Sequence, residues 1–155
     1  MYKHCDINNE FISLHDCRVT KILYEKDIIT FVFDGGIWLL PNHPNNATNK
    51  MILTDKAEVS FTLEFTSIKE PIMLVFEERF KNTICKKWNL YKLIHCINDK
   101  RNTLEFLYRF NGYNSIIIEC CLWSSKKPYH RECELKLSIK DEKYYWNSIS
   151  QNKEY

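Results

Sequence analysis

Apolar and polar residues alternate along several short stretches of this chain. In residues 57–65 every second side chain is apolar and the side chains between them are polar. Residues 133–139 repeat the same pattern. Because successive side chains of a strand point to opposite faces, both stretches predict strands with one buried and one solvated face.

A second pattern lies near the N-terminus, where β-branched and aromatic residues form runs that are broken by turn residues. The runs at 17–24 and 28–33 are separated by three polar residues, and a third run at 37–40 follows Asp34-Gly35-Gly36. Such runs suit a pleated surface, and Asp-Gly is a strong hairpin signal because Gly accepts positive φ. The stretch therefore predicts a three-stranded antiparallel meander.

The hydrophobic pattern also predicts a hairpin around Asn111-Gly112. Apolar residues alternate from Leu104 to Phe110 and again from Ile116 to Leu122. A three-residue loop with Gly112 at positive φ would pair Leu104 with Ile118 and keep the two apolar faces together. Further along, the polar residues 141–143 predict a turn into a last short strand at 144–146, and residues 150–155 are expected to fray.

The pattern in the middle of the chain is less regular. Residues 72–77 predict a strand that pairs back on the strand before it. The apolar spacing in 80–88 is typical of a short helix, whereas 90–97 is taken as a strand. Residues 41–50 hold two prolines and four asparagines, which predicts a long loop within the 41–56 connection, either functional or mobile, and mobility is the favoured expectation.

These elements together predict an all-β fold. We expect an antiparallel two-sheet sandwich or open barrel of about 8–10 short strands, with at most one short helix. The length of 155 residues fits one domain over 1–155, with residues 1–13 as a loosely held arm.

Composition narrows the possible partners and the cell compartment. Lysine and arginine number 22 against 20 acidic residues, so the charge gives no argument for nucleic acid or an anionic membrane. The N-terminal residues contain no apolar signal region, which predicts a cytoplasmic protein. Seven cysteines in such a compartment are expected to be mostly buried thiols rather than disulfides.

Histidine and cysteine repeatedly occur near each other, which raises a metal site as a possibility. The candidate ligands are His15, Cys17, His130 and Cys133, because zinc prefers imidazole nitrogen and thiolate sulfur. Against this, no Cys-x-x-Cys motif is present, and Cys133 continues a buried stripe. A core role for these cysteines is therefore favoured, and no cofactor is expected.

The same residues could also carry covalent catalysis. Cys17 would be the nucleophile, His15 or His130 the base and Asp16 the orienting group. Such a cysteine needs a depressed thiol pKa. The favoured interpretation is that His15 and Asp16 hydrogen-bond to the backbone and turn the chain into its first strand.

Three segments carry a family resemblance: LHDCR at residues 14–18, DGGIWL at 34–39 and ELKLSIKDEKYYWN at 134–147. They resemble a family of small uncharacterised bacterial proteins, mostly from low-GC Gram-positive organisms. The resemblance implies a bacterial, cytoplasmic, all-β protein. It brings no activity, cofactor or catalytic residue.

Two functional hypotheses from different classes follow. The first is a non-enzymatic module that binds another protein, for example an immunity-type protein that neutralises a toxin. The second is a metal-dependent or Cys/His-dependent hydrolase that uses His15, Asp16 and Cys17. Neither nucleic acid nor a membrane is expected as a partner.

Overall fold

A computed structural model describes residues 2–7, 10–64 and 70–154 of the chain. These residues form fourteen strands and one helix. The elements are β1 His4–Asp6, β2 Ile12–Ser13, β3 Cys17–Val19, β4 Lys21–Glu25, β5 Ile28–Phe33, β6 Trp38–Leu39, β7 Ile52–Thr54, β8 Ala57–Leu63, β9 Ile72–Arg79, β10 Asn82–Asn89, α1 Leu90–Asn98, β11 Thr103–Gly112, β12 Ser115–Trp123, β13 His130–Trp146 and β14 Ile149–Glu154.

All strand pairs of the described chain are antiparallel, and they form two sheets that do not close into a barrel. The large sheet follows the order β3-β11-β12-β13-β8-β5-β4, and the small sheet follows β14-β7-β6-β2. The predicted all-β fold with two sheets and one short helix is therefore confirmed. The strand count exceeds ten because several strands have only two or three residues.

The long strand β13 joins the two halves of the large sheet. Its inward residues are odd-numbered up to Leu137, whereas Tyr144 and Trp146 are buried further along. The change of parity comes from a bulge at position 140, where the register with β8 shifts between Ile139 and Asp141. The turn predicted at 141–143 is wrong, because the bulge lets the strand bend and continue.

The core confirms the alternation in β8, whose Val59, Phe61 and Leu63 are buried. Phe65, which the pattern also assigns to that strand, lies outside the described residues. Phe106 packs edge-to-face against Phe31 and Phe33, with ring centroids 5.3 and 5.6 Å apart. Edge-to-face contacts between rings stabilise a core beyond the contribution of the apolar area that the rings bury.

The first predicted hairpin is confirmed between β4 and β5, but the run at 17–24 is not one strand, because Cys17–Val19 pairs with β11. The predicted three-stranded meander is wrong. Lys26 and Asp27 take φ values of 49° and 65° and form the tight turn between β4 and β5. The third strand, β6, pairs with β2 and β7 in the small sheet. Gly36, with φ of 85°, turns the chain away from β5.

The β11–β12 hairpin turns two residues later than predicted. Gly112 pairs with Ser115 inside the hairpin, and Asn114, with φ of 51°, occupies the turn. Leu104 faces Leu122 rather than Ile118, and a bulge follows Phe106. The predicted register and the positive φ at Gly112 are therefore wrong, because the bulge inside β11 offsets the two apolar patterns.

Three assignments in the middle of the chain need correction. β9 pairs with β10 and β13 rather than with β8, and residues 82–89 form a strand instead of a helix. Residues 90–98 form α1 instead of a strand. The Asn89 side chain caps this helix by accepting from the Lys92 N–H, and Leu90, Leu93 and Ile97 form its buried face.

Three segments expected to be loose have defined contacts. In the arm expected at residues 1–13, β1 pairs with β13 and β2 pairs with β6. The loop at 41–50 folds around Asn46, whose amide donates to the carbonyl groups of Leu39, Leu40 and Lys50. The tail pairs through β14 with β7. No helix in the described ranges is long and apolar enough to cross a membrane.

Candidate interaction surface

His15, Asp16 and Cys17 lie together at the start of β3 and line an open groove of about 620 Å³. His15 Nδ1 is 2.6 Å from the Leu107 carbonyl oxygen and therefore donates to it. Asp16 takes a φ of 58°, and its N–H donates to the Phe106 carbonyl. Both residues attach the turn to β11. His15 does so through its side chain, as expected, whereas Asp16 does so through its main-chain N–H.

Cys17 points into the core. Its thiol donates weakly to the carbonyl oxygens of Ser13 and His15, at 3.9 and 3.6 Å. Burial raises the thiol pKa to about 12, with a smaller contribution from the carboxylates of Asp16 and Glu105. A nucleophile needs the opposite shift, so these surroundings do not favour a reactive thiolate.

His130 and Cys133 lie on β13, which is separated from β3 by β11 and β12. His130 packs against Trp123, whereas Cys133 faces inward, opposite Cys120. Burial also raises the Cys133 pKa to about 12. Across residues 2–7, 10–64 and 70–154, no group of three or more His, Cys, Asp or Glu side chains could hold a metal ion.

A different surface is formed by the side chains that β9, β11, β12 and β13 turn away from the core. We call it the outer face. The register places side chains in rows across it, such as Glu119–Glu134–Leu74 and Ile117–Lys136–Ile72. Its members are Tyr108, Phe110, Ile117, Glu119, Cys121, Trp123, Glu132, Glu134, Lys136, Ile72, Leu74 and Phe76.

The outer face is unusually apolar for the solvated side of a sheet. Tyr108 and Phe110 are more than half exposed. The apolar residues of β9 and β12 on this face are mostly half-buried, and Ile72, Leu74 and Phe76 do not belong to the core cluster. Tyr108 and Phe110 are neighbours on this face, and exposed aromatic side chains that cluster on one face are typical of an interaction site.

A charged stripe runs between these apolar flanks along β13. Glu134 pairs with Lys136 at 3.2 Å. In the described chain, neither Glu119 nor Glu132 has a hydrogen bond or ion pair. At the border, Glu105 accepts from Arg18 Nε at 3.0 Å and from Trp123 Nε1 at 2.7 Å. The outer face thus carries unneutralised negative charge.

The β9–β10 hairpin extends from the same sheet. β9 pairs with β13 only over Ile72–Val75, and the rest of the hairpin continues beyond that ladder. Phe80 at its tip is fully exposed, with a relative accessibility of 109% and a φ of 56°. Within the described ranges β10 pairs only with β9, so its other edge is open.

One feature of the sequence indicates an apolar outer face, although the alternation of apolar and polar residues does not reveal it. Residues 72–76 and 115–123 are apolar at both parities, so one of the two faces must place apolar side chains outward or against a second layer. The position of that face depends on the order of strands far apart in the chain. Alternation alone does not give this order.

Comparison with known proteins adds no further constraint. No family model, curated protein or solved structure matches this chain. The resemblance to small bacterial proteins of low-GC organisms stays a prediction.

Proposed function

We propose that this protein is a non-enzymatic module that binds another protein through the outer face. The observation that carries the proposal is the combination of exposed aromatic residues with unpaired carboxylates on the outer side of the sheet. Tyr108 and Phe110 are exposed, and Glu119 and Glu132 have no partner in the described chain. Aromatic residues are enriched in protein interfaces, where they supply much of the binding energy.

The charge of the outer face indicates the chemistry of the partner. Four carboxylates lie on or beside it, at positions 105, 119, 132 and 134. Arg18 and Lys136 pair with two of them, and Lys87 extends the row Glu119–Glu134–Leu74 on β10. Complementary potentials steer association and reject wrong partners. The partner surface therefore presents lysine or arginine around an apolar centre.

The shape of the site favours a folded protein over a small substrate. The outer face is one side of a pleated sheet, and the groove of about 600 Å³ that Phe76 and Glu132 help to line is open to solvent. Small-molecule sites usually enclose most of the ligand. Apolar flanks on β9 and β12 around the charged β13 stripe match the mixture of apolar and polar contacts found in protein interfaces.

A bacterial and cytoplasmic setting is part of the proposal. All seven cysteines are free thiols, five of them buried, which fits a reducing compartment. An immunity-type role, in which the module covers a basic surface of a toxin, is one form that this binding would take. The hydrolase hypothesis at His15, Asp16 and Cys17 has weaker support, because the Cys17 thiol is buried with a raised pKa.

The experiment is affinity capture with the immobilised protein, followed by reconstitution with the purified partner. The test variant combines Tyr108→Ala with Phe110→Ala, and the control combines Tyr91→Ala with Ile28→Ala, which are exposed elsewhere. We expect the control to bind the purified partner like the wild type and the test variant to bind at least tenfold more weakly. Equal binding by both variants would contradict an outer-face site.

A further inference from the structure

β10 is an open strand edge of eight residues at the margin of the large sheet. Another margin of that sheet, the edge of β4, is covered. Asn98 of α1 accepts from the Ile22 N–H at 2.9 Å and donates to the Ile22 carbonyl at 2.7 Å. This amide satisfies the backbone of β4 where a further strand would bind. In the described chain, no such contact is made to the outer edge of β10.

The hairpin register identifies which groups are free along this edge. Two residues, Phe80 and Lys81, separate the paired residues Arg79 and Asn82. The pair that flanks a two-residue loop exchanges both backbone hydrogen bonds, and such pairs alternate along the ladder. The N–H groups of Asn82, Ile84 and Lys86 therefore face β9, and those at 83, 85 and 87 face outward.

The side chains of the edge indicate which strand would pair there. The segment Asn82–Asn89 has no acidic residue, and Lys87 and the neighbouring Lys81 have no partner in the described chain. Lys86 is already bound to Glu77 at 2.6 Å. Lysine on an edge strand disfavours pairing between identical copies, because their charges repel. The same lysines attract carboxylates.

We propose that β10 binds an extended acidic segment of a partner protein, which adds to the sheet as an antiparallel strand. Main-chain hydrogen bonds to Thr83, Cys85 and Lys87 supply affinity, as in other cases of strand addition. Lys81 and Lys87 select carboxylates on the added strand. This site is the hydrogen-bonding edge of β10, which borders the outer face, because Lys87 lies opposite Leu74. The peptide and the edge variants below test the edge alone, so it stands or falls independently of the proposed function.

The first test is amide hydrogen exchange measured by NMR with a defined probe. The probe is a blocked eight-residue peptide that alternates valine and glutamate, and its control alternates valine and lysine. Without peptide, we expect the amides of Thr83, Cys85 and Lys87 to exchange faster than those of Ile84 and Lys86. At saturation, the acidic peptide should slow the three outward amides at least tenfold, and the basic peptide should leave them unchanged.

Variants of the edge test the hydrogen bonds and the charges separately. Cys85→Pro removes an outward N–H and should abolish binding of the acidic peptide, whereas Cys85→Ser should retain it. If Cys85→Pro fails to fold, the double variant Lys81→Glu with Lys87→Glu provides the test. This variant should no longer bind the acidic peptide and should bind the basic peptide instead. Two results would overturn the proposal. One is slower exchange of the three outward amides on raising the protein concentration without peptide, and the other is an equal slowing by both peptides.

Discussion

Glu119 on β12 and Glu134 on β13 lie directly opposite each other on the outer face. Lys136 neutralises Glu134, whereas Glu119 has no ion pair in the described chain. Like charges opposite each other on neighbouring strands destabilise a sheet. Under the proposed function, the Glu119 carboxylate stabilises the complex with a basic partner and not the fold.

This arrangement predicts opposite effects of one substitution on stability and on binding. Glu119→Lys would place a cation opposite Glu134 and should raise the free energy of unfolding by about 0.5 kcal/mol. The same change should weaken binding of a basic partner. Urea unfolding measures the first effect, and the exposed Glu25→Lys serves as a control that should change neither quantity by much. A clear loss of stability in Glu119→Lys would contradict the assumed repulsion.

Adjacent glycines should respond very differently to alanine. A Cβ at Gly36 would lie 1.9 Å from the Thr54 carbonyl oxygen, and its φ of 85° disfavours any L side chain. Gly36→Ala should cost about 3 kcal/mol or more of unfolding free energy. Gly35 has no atom within 4 Å of its added Cβ, so Gly35→Ala should change stability by about 0.5 kcal/mol at most. Thermal unfolding of both variants gives the comparison.

The cysteines should separate into two reactivity classes. Cys5 and Cys85 are exposed, and the other five thiols are buried. With a pKa of about 12, roughly one Cys17 or Cys133 thiol in ten thousand is ionised at about pH 8. Two thiols should therefore react quickly with a maleimide in the native state, with the rest following only on unfolding. Mass spectrometry after brief labelling checks this, and rapid modification of Cys17 would revive the nucleophile hypothesis.

Asn98 should protect the β4 edge of the sheet. Asn98→Ala removes both hydrogen bonds to Ile22 and should cost about 1–3 kcal/mol. It should also increase self-association, because an uncovered edge pairs with other strands. Asn98→Asp retains the acceptor for the Ile22 N–H and should be milder. Urea unfolding measures the loss of stability, and sedimentation velocity measures self-association. If Asn98→Ala is as stable as the wild type and associates no more than it does, Asn98 does not protect this edge.

The sequence alone predicted the strands that bury only one of their two faces. β8 and the first half of β13 alternate regularly, because one face meets the core and the other does not. The turn at Lys26 and Asp27 was also predictable, since two apolar runs flank a polar break. The two-sheet class followed from these elements.

Other features depend on contacts that are distant in the chain. The bulge in β13 reverses its parity close to the point where the pairing of this strand passes from β9 to β8. α1 has a helical buried face, yet its short apolar run also suited a strand. The outer face combines β9 with β12, which are joined only through β13. No local pattern reports that juxtaposition.

The most direct test of the outer-face account is the dissociation constant of the purified complex, measured by isothermal titration calorimetry for three forms of the protein. These are the wild type, the double variant Glu119→Lys with Glu132→Lys, and the control Glu25→Lys. The account predicts that the double variant binds at least a hundredfold more weakly, or about 2.7 kcal/mol, while the control binds like the wild type. If the double variant binds within about twofold of the wild type, a difference of about 0.4 kcal/mol, the outer face is not the interaction surface.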